Sequence, residues 1–227
     1  MKLARPDIFH PRIVLAGGPR HAVGDRDDAG LIAALRQRGL HARWLSWDDP
    51  ETRRADLVIL RATRDHARRL HEFLAWTTSV PHLLNPAAVV AWNTGPRYLG
   101  DLVRRGVPTA GRHEAGHRVV LVFIGGVPSH AFSLQASTLV QAEPDFEAWD
   151  VGAGALAAAA AQVGVDSGEL LYARVHLVGG RLQELKLVDP SLGFLRLTAG
   201  TRAEAERRFA RAVESALDRL GLGPLSH

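Results

Sequence analysis

Cysteine is absent from this 227-residue chain, and lysine and methionine are almost absent. Without cysteine, disulfide bridges, thiolate nucleophiles and cysteine-based metal sites are excluded. No apolar run approaches the ~18 residues that a membrane helix needs, and no signal-peptide pattern opens the chain. We therefore expect a cytoplasmic protein that does not bind membranes. Only two of the 28 basic residues are lysines, Lys2 and Lys186, and the excess of arginine and alanine is typical of a GC-rich bacterial genome.

The positive charge does not indicate a nucleic-acid protein. The net charge is only +4, and pairs such as Arg68-Arg69 and Arg207-Arg208 stand beside apolar residues in helical patterns. Such pairs are typical of solvated helix faces, and no aromatic side chains are interleaved with them as in single-strand or RNA sites. The length and the 46% hydrophobic content allow one large domain or two small ones.

Apolar strands and helices alternate in the first half of the chain. Strands are expected at 13–16, 42–45, 56–60 and near 83, with helices between most of them. This alternation predicts a parallel α/β layer with crossover connections. We assign it to an N-terminal domain over residues 1–110.

The second half shows a different pattern. Gly125-Gly126 and Gly179-Gly180 each separate two apolar runs, which predicts antiparallel hairpins. An alanine-rich helix is expected from Gly152 to Val163, and Thr201 is expected to cap a final amphipathic helix. The prediction is an α/β plus α+β fold, with the second domain over residues 118–227.

Polar side chains are concentrated in the last hairpin. Residues two apart on a strand share a face, so Arg174 lies beside His176, and Glu184 lies beside Lys186. Asp189 follows at the end of the second strand. We expect one polar cluster, in which His176, Glu184 and Asp189 could bind a metal ion. An ion pair of Lys186 with a neighbouring carboxylate is the simpler alternative.

Arg61, Asp65 and His66 follow a predicted buried strand of the first domain. Ligands commonly bind at the carboxyl ends of strands in α/β sheets, so Arg61 and Asp65 are candidates for substrate binding. Capping of the following helix explains Asp65 equally well.

Several segments in sequence order resemble the ATP-grasp family. They are LVILRATRDHARRLHEFLAW (57–76), LLNPAAVVAWNTGPRYLGDLVRRGVPT (83–109), VVLVFIGGVPSHAF (119–132) and the final hairpin. They are most similar to RimK-like and glutathione-synthetase-like proteins, including the O-ureido-serine cyclo-ligase type. The resemblance implies a pre-ATP-grasp domain followed by ATP-grasp elements. It also implies an ATP- and magnesium-dependent carboxylate–amine ligase, with Arg174 as a catalytic residue and Glu184, Asp189 and His176 at or near metal-ligand positions.

The chain departs from the family pattern where phosphates and metal would bind. His176 and Lys186 occupy positions where the family has an aspartate and a second metal ligand. Pro96 stands where the family has a lysine, and proline supplies neither charge nor a backbone donor. Only nine residues separate Thr109 from Val119, where the family has a nucleotide-binding subdomain with a second lysine.

These departures predict a degenerate, centrally truncated ATP-grasp protein that binds a small molecule or a partner protein without catalysis. A residual ATP- and magnesium-dependent ligase is the alternative, so whether the chain is an enzyme stays open. No cofactor is assigned from the sequence, since ATP and magnesium are implied only by the resemblance. Apolar surface left by the missing subdomain would also suit a second copy of the chain.

The segment His113-Glu114-Ala115-Gly116-His117 suggests a less favoured third function. It matches the HExxH pattern, in which a helix places two histidines on one zinc ion. Gly116 and the strand expected from Val119 leave little room for that helix. A connecting loop is therefore the preferred interpretation over a zinc hydrolase.

Overall fold

The computed structural model describes residues 10–20, 23–111 and 113–223 of the chain. The strands are β1 (Ile13–Gly17), β2 (Ala42–Ser46), β3 (Leu57–Ala62), β4 (Leu83–Leu84), β5 (Arg118–Ile124), β6 (Val127–Gln135), β7 (Thr138–Ala142), β8 (Tyr172–Val178) and β9 (Arg181–Lys186). The helices are α1 (Leu31–Arg36), α2 (Leu70–Thr77), α3 (Ala87–Asn93), α4 (Tyr98–Arg104), α5 (Phe146–Val163) and α6 (Ala199–Arg219). In the described residues, no helix is both long and apolar enough to cross a membrane.

The first sheet is parallel, with strand order β2-β1-β3-β4. Every residue of β1 and β3 is buried, in accordance with the apolar runs 13–16 and 57–60. Such runs are typical of parallel strands that are covered on both faces. The parallel α/β layer predicted from the sequence is confirmed.

The second sheet is antiparallel, with strand order β7-β6-β5-β8-β9. Gly125-Gly126 and Gly179-Gly180 form two-residue turns with φ between 54° and 76°. Glycine adopts these left-handed values without steric cost, and they are the values that a tight hairpin turn requires. The two predicted hairpins are confirmed, whereas β7 was not predicted.

One apolar cluster joins the two sheets. It contains Leu15 and Ile59 of the first sheet, Val122 of the second, and Phe209 and Val213 of α6. The inner face predicted for the last helix is therefore buried as expected. Tyr172 adds a polar link, because its hydroxyl donates to the carbonyl of Leu60 at 2.7 Å.

A second cluster lies on the opposite face of the antiparallel sheet. Val89 of α3 and Leu102 of α4 pack there with Leu121, Phe123 and residues of α5. These two helices precede residue 110 in the chain but share a core with strands that follow it. The domain boundary at residues 110–118 stays a prediction.

The loop after β9 is fastened to the N-terminal half by Asp27. Its carboxylate accepts hydrogen bonds from the Ser191 hydroxyl at 2.9 Å, the Gly193 amide at 2.8 Å and the Leu195 amide at 2.9 Å. Three bonds to one ionised acceptor hold the loop more firmly than neutral contacts would.

The segment from Ala110 to His117 is hydrogen-bonded at both of its ends to the β8–β9 hairpin. The Ala110 amide donates to the Leu182 carbonyl at 2.8 Å, and the Gly179 amide donates to the backbone carbonyl of His117 at 3.0 Å. Its described residues form no helix. This removes the geometric basis of the HExxH site, and Glu114 instead accepts a hydrogen bond from the Gly111 amide at 2.9 Å.

Two helix starts differ from the predictions. Helix α5 begins at Phe146 rather than Gly152, because the Asp145 carboxylate caps it by accepting from the Ala148 amide at 2.8 Å. Thr198 caps α6, and Thr201, the predicted cap, donates its amide to the Thr198 hydroxyl oxygen.

Candidate functional site

Arg61 lies at the carboxyl end of β3 and is 2% exposed. Its Nη2 and Nε donate to one carboxylate oxygen of Asp28, at 2.8 and 3.1 Å, and Nη2 also donates to the Pro190 carbonyl at 3.1 Å. The guanidinium carbon lies 5.1 Å from the centre of the Tyr172 ring. The structure therefore places Arg61 inside the protein, where it joins β3 to the loop that follows β9.

Asp189 is the second carboxylate beside Arg61. It has a φ of +45°, and one oxygen accepts from the Thr63 hydroxyl at 3.3 Å. The other oxygen has no hydrogen-bond partner among the described residues, and neither has Nη1 of Arg61. Burial raises the pKa of Asp189 to about 8, Arg61 lowers it in part, and the nearby charge of Asp28 raises it further. Asp189 therefore holds a proton at neutral pH.

Asp65 lies in the loop after β3 and does not cap the following helix. Its carboxylate contacts Gly18, since a Cβ on Gly18 would stand 2.2 Å from Asp65 Oδ1. That oxygen has no hydrogen-bond partner among the described residues. The capping interpretation was wrong, and Asp65 instead packs where β1 and β3 end.

The hairpin positions form the predicted polar cluster. Arg174 pairs with Lys186, and His176 pairs with Glu184, across β8 and β9. Glu184 Oε2 lies 3.4 Å from Lys186 Nζ and 3.9 Å from His176 Nε2. Burial, together with the charges of Arg174 and Lys186, lowers the pKa of His176 to about 4. His176 is therefore neutral at pH 7.

Arg174 is held by the loop that follows β9. Its Nη1 donates to the Ser191 carbonyl at 3.0 Å, while Nε has no partner in the described part of the chain. Burial lowers the pKa of Arg174, and the charges of Asp27 and Glu184 oppose that effect. The catalytic role of Arg174 stays a prediction.

The three predicted metal ligands are not assembled into one site. His176 and Glu184 are neighbours, but Asp189 lies against Thr63 and Arg61. No group of three or more histidine, aspartate or glutamate side chains in the described ranges is placed to hold a metal ion. Lys186 puts an ammonium beside Glu184, and a cation so close to a carboxylate opposes magnesium binding. The observed ion pair is the simpler alternative considered above, and these residues do not fit the magnesium that the resemblance implies.

A cavity of about 320 Å³ opens between the two halves of the chain. It is lined by Arg64 and His66 after β3, by Asn93, Thr94 and Tyr98 of the α3–α4 region, and by Glu184, Leu185, Lys186, Val188 and Asp189. Glu184 and Asp189 are thus the predicted site residues that line it, whereas Arg61, Asp65, Arg174 and His176 do not. The cavity carries cationic and anionic groups on one wall.

Asn93 shapes this cavity without being free to bind a ligand. Its amide nitrogen donates to the Leu185 carbonyl at 3.0 Å, and its amide oxygen accepts from the Leu187 amide at 2.7 Å. Both polar ends of the side chain are therefore used to hold the chain at the end of β9. Arg64, Thr94 and Tyr98 were missed in the sequence. Nothing in the local sequence indicates that Tyr98 lies beside residues 184–189, because that contact depends on how distant elements pack.

Comparisons with known proteins support this architecture. Residues 13–85 match the family model of the N-terminal domain of D-cycloserine synthetase DcsG. The crystal structure of DcsG has a TM-score of 0.74 and 24% identity, with 92% of this chain and 99% of that chain covered. D-alanine–D-alanine ligase from Bacillus anthracis, complexed with ATP, has a TM-score of 0.66 and 10% identity, covering 92% and 98%. The ATP-grasp ligase PsnB, complexed with precursor peptide PsnA2 and AMPPNP, has a TM-score of 0.57 and 16% identity, covering 91% and 100%. No curated protein sequence matches this chain.

Proposed function

Since this chain has the fold of the ATP-grasp ligases, we propose that it is an ATP-grasp-like protein that binds a small polar molecule and has lost ligase activity. The observation that carries the proposal is the lysine content. Lys2 lies outside the described residues, and Lys186 is paired with Glu184 at 3.4 Å. No lysine exists between them to neutralise a nucleotide triphosphate.

Charge neutralisation is the main requirement of phosphoryl chemistry. Phosphate groups need fixed cations and carboxylate-held metal ions to stabilise the charge of the transition state. Here the chain passes from Thr109 to β5 through only eight residues, 110–117. The missing central segment and the incomplete metal set together support loss of the reaction.

The cavity beside Tyr98 is the proposed ligand site. Arg64 and Lys186 supply positive charge, Glu184 supplies negative charge, and Asp189 is protonated at neutral pH. Such a mixture suits a small molecule that carries both an acidic and a basic group, because each charge meets an opposite one. Arg61 and Asp65, proposed from the sequence as substrate ligands, do not line this cavity.

A residual ATP- and magnesium-dependent carboxylate–amine ligase is the alternative. The likeness to the ATP complex of D-alanine–D-alanine ligase favours it, since the structural match covers 92% of this chain. The structure of PsnB complexed with a precursor peptide also makes a peptide or protein partner a reasonable occupant of this class of fold. A working ligase would have to neutralise the nucleotide phosphates without lysines between Lys2 and Lys186.

A thermal-shift titration of the metal-free full chain tests the proposal. Ligands that bind only the folded state raise the melting temperature with concentration. We expect no greater shift with MgATP than with magnesium alone, no shift with zinc, and a shift with one or more members of a panel of small zwitterions. Release of ADP is measured in parallel with the same panel.

Two variants locate the binding site. Lys186→Gln removes a cavity cation and should abolish the zwitterion shift. Arg181→Gln lies on the same strand but does not line the cavity, and it should retain the shift. Stabilisation by MgATP beyond magnesium, with ADP release on adding a zwitterion, would overturn the proposal in favour of the ligase. Equal loss in both variants would show that the cavity is not the site.

A further inference from the structure

The two edges of the antiparallel sheet differ in whether further backbone pairs with them. At one edge, residues 108–110 pair with β9. The Leu182 amide donates to the Pro108 carbonyl at 2.8 Å, and the Ala110 amide donates to the Leu182 carbonyl at 2.8 Å. At the other edge, β7 pairs with β6 and with no other strand among residues 10–20, 23–111 and 113–223. The free edge of β7 therefore presents one row of backbone donors and acceptors to its surroundings.

The hairpin geometry identifies which groups face outward. Ala136 and Ser137 form a two-residue turn with φ of 44° and 70°, and Gln135 pairs with Thr138. Residues that flank a two-residue hairpin turn bond to each other, and bonded pairs then alternate along the strands. Thr138, Val140 and Ala142 therefore face β6. Leu139 and Gln141 direct their backbone N–H and C=O groups away from the sheet, and these groups bond to no described residue.

The sequence of this edge lacks the features that usually prevent strand pairing, although the Thr198 amide donates to the Gln141 side chain at 3.2 Å. Native proteins block free edges with charged residues, proline, bulges or very short strands. The sequence TLVQA of β7 contains no charge, no proline and no glycine, and its pairing to β6 is regular over five residues. By contrast, β2 carries Arg43 and β4 has only two residues. Val140 is 41% exposed on this edge.

We propose that β7 is a dimerisation strand that pairs in antiparallel fashion with β7 of a second copy of this chain. A two-fold axis at Val140 sets Val140 opposite its counterpart. Leu139 then lies opposite Gln141 of the second copy, and Gln141 lies opposite Leu139. These two outward-facing residues exchange both N–H···O bonds in each pair, which gives four bonds across the axis. The two sheets join into one continuous sheet of ten strands.

Two further observations favour a second copy as the occupant. An uncharged strand can meet its own copy without like charges standing opposite each other, which would be destabilising. Phe146, four residues after β7, is 88% exposed, so the same region offers apolar area beyond the strand. A five-residue strand pair is smaller than a standard interface of roughly 1,600 Å². We therefore expect a concentration-dependent equilibrium between monomer and dimer.

Charge substitution at the axis tests the proposal by sedimentation velocity on the full chain. Wild type should dimerise as the concentration rises through the micromolar range. Val140→Lys and Val140→Glu should each remain monomeric, since like charges then stand opposite each other at the axis. An equimolar mixture of the two variants should dimerise again, because the charges are then opposite. Val127→Lys, on exposed Val127 of β6, is the matched control and should dimerise like wild type.

Amide hydrogen exchange supplies a second measurement. The amides of Leu139 and Gln141 should exchange more slowly in the dimer than in the monomer, whereas the Val140 amide, already bonded to β6, should change little. Circular dichroism and the melting temperature verify that each variant is folded. A wild type that stays monomeric throughout, a Val140→Lys variant that still dimerises, or a dimer without protection at Leu139 would each overturn the proposal.

Discussion

At the scale of single residues, the cluster around Arg61 has one cation for two buried carboxylates. Asp28 makes the close ion pair at 2.8 Å, and Arg61 stays charged at all working pH values. A second ionised carboxylate would leave a net negative charge inside the protein, which burial strongly opposes. Asp189 therefore remains protonated, with a pKa raised to about 8.

This protonation makes stability depend on pH. Unfolded, Asp189 would lose its proton near the usual aspartate pKa of about 4, so the folded state holds the extra proton up to about pH 8. The folded state binds more protons in this window, and the free energy of unfolding therefore falls as pH rises through it. Asp189→Asn removes the ionisable group. We expect urea denaturation to show a fall of about 1–2 kcal/mol between about pH 6.5 and 8.5 for wild type, and a flatter profile for the variant.

His176 also contributes to the pH dependence. Its pKa is lowered to about 4, so between about pH 4 and 6.5 the unfolded state binds the extra proton and stability rises with pH. At pH 6.5 an unfolded histidine is still about half protonated, but His176 is present in both wild type and Asp189→Asn, so its contribution is the same in the two profiles. The interpretation is wrong if wild type and Asp189→Asn lose stability in parallel above about pH 6.5.

The predicted site shows what residue spacing can and cannot establish. The cluster of Arg174, His176, Glu184 and Lys186 followed from strand period and a glycine turn, both of which are local properties. The partner of Arg61 did not, because Asp28 is 33 positions away and the pairing depends on how the loops pack. Asp189 was placed with the wrong neighbours for a similar reason. Its carboxylate accepts from Thr63, which is 126 positions away, and no local sequence pattern indicated that contact.

At the scale of elements, α5 approaches the antiparallel sheet through a small residue. A Cβ on Gly152 would stand 2.7 Å from Leu121 Cδ1 and 3.0 Å from the Phe123 ring, whereas one on Gly154 would meet nothing within 4 Å. Gly152→Ala should destabilise the protein by about 1–3 kcal/mol through overpacking. Gly154→Ala, at an exposed position in the same helix, should stabilise it by about 0.5–1 kcal/mol.

Urea denaturation of the two variants checks this pair. Because both replace glycine with alanine in one helix, the difference between them reports on packing and not on helix propensity. If Gly152→Ala stabilised the chain as much as Gly154→Ala, the close contact with β5 would be disproved.

The same helix illustrates the limits of reading elements from sequence. The residue pattern located most of α5 and the strands β5, β6, β8 and β9, because the apolar residues that one face buries recur at regular spacing. The start at Phe146 was missed, since Asp145 is followed by an exposed phenylalanine and two later glycines that weaken the helical signal. Strand β7 was missed because it lies at an edge and only Leu139 contributes to a core cluster.

At the scale of the whole molecule, the two sheets share one apolar core. Ile13 and Leu57 of the parallel sheet pack in the same cluster as Val120, Phe132 and α6. Neither sheet can lose its packing without exposing the other. We expect a single cooperative unfolding transition, with equal calorimetric and van't Hoff enthalpies. Two separate transitions, or near-ultraviolet and far-ultraviolet signals that do not coincide, would contradict a shared core.

The segment from Ala110 to His117 begins and ends on one hairpin, at Leu182 and Gly179. Two neighbouring attachment points on a rigid support are what a guest domain needs, because its termini must meet without pulling the host apart. The chain is therefore a ready host for insertion of a foreign domain at this segment. If the inserted domain becomes ordered when it binds its own ligand, that ordering would also restrain β8 and β9. A change in these two strands would then signal that the ligand is bound.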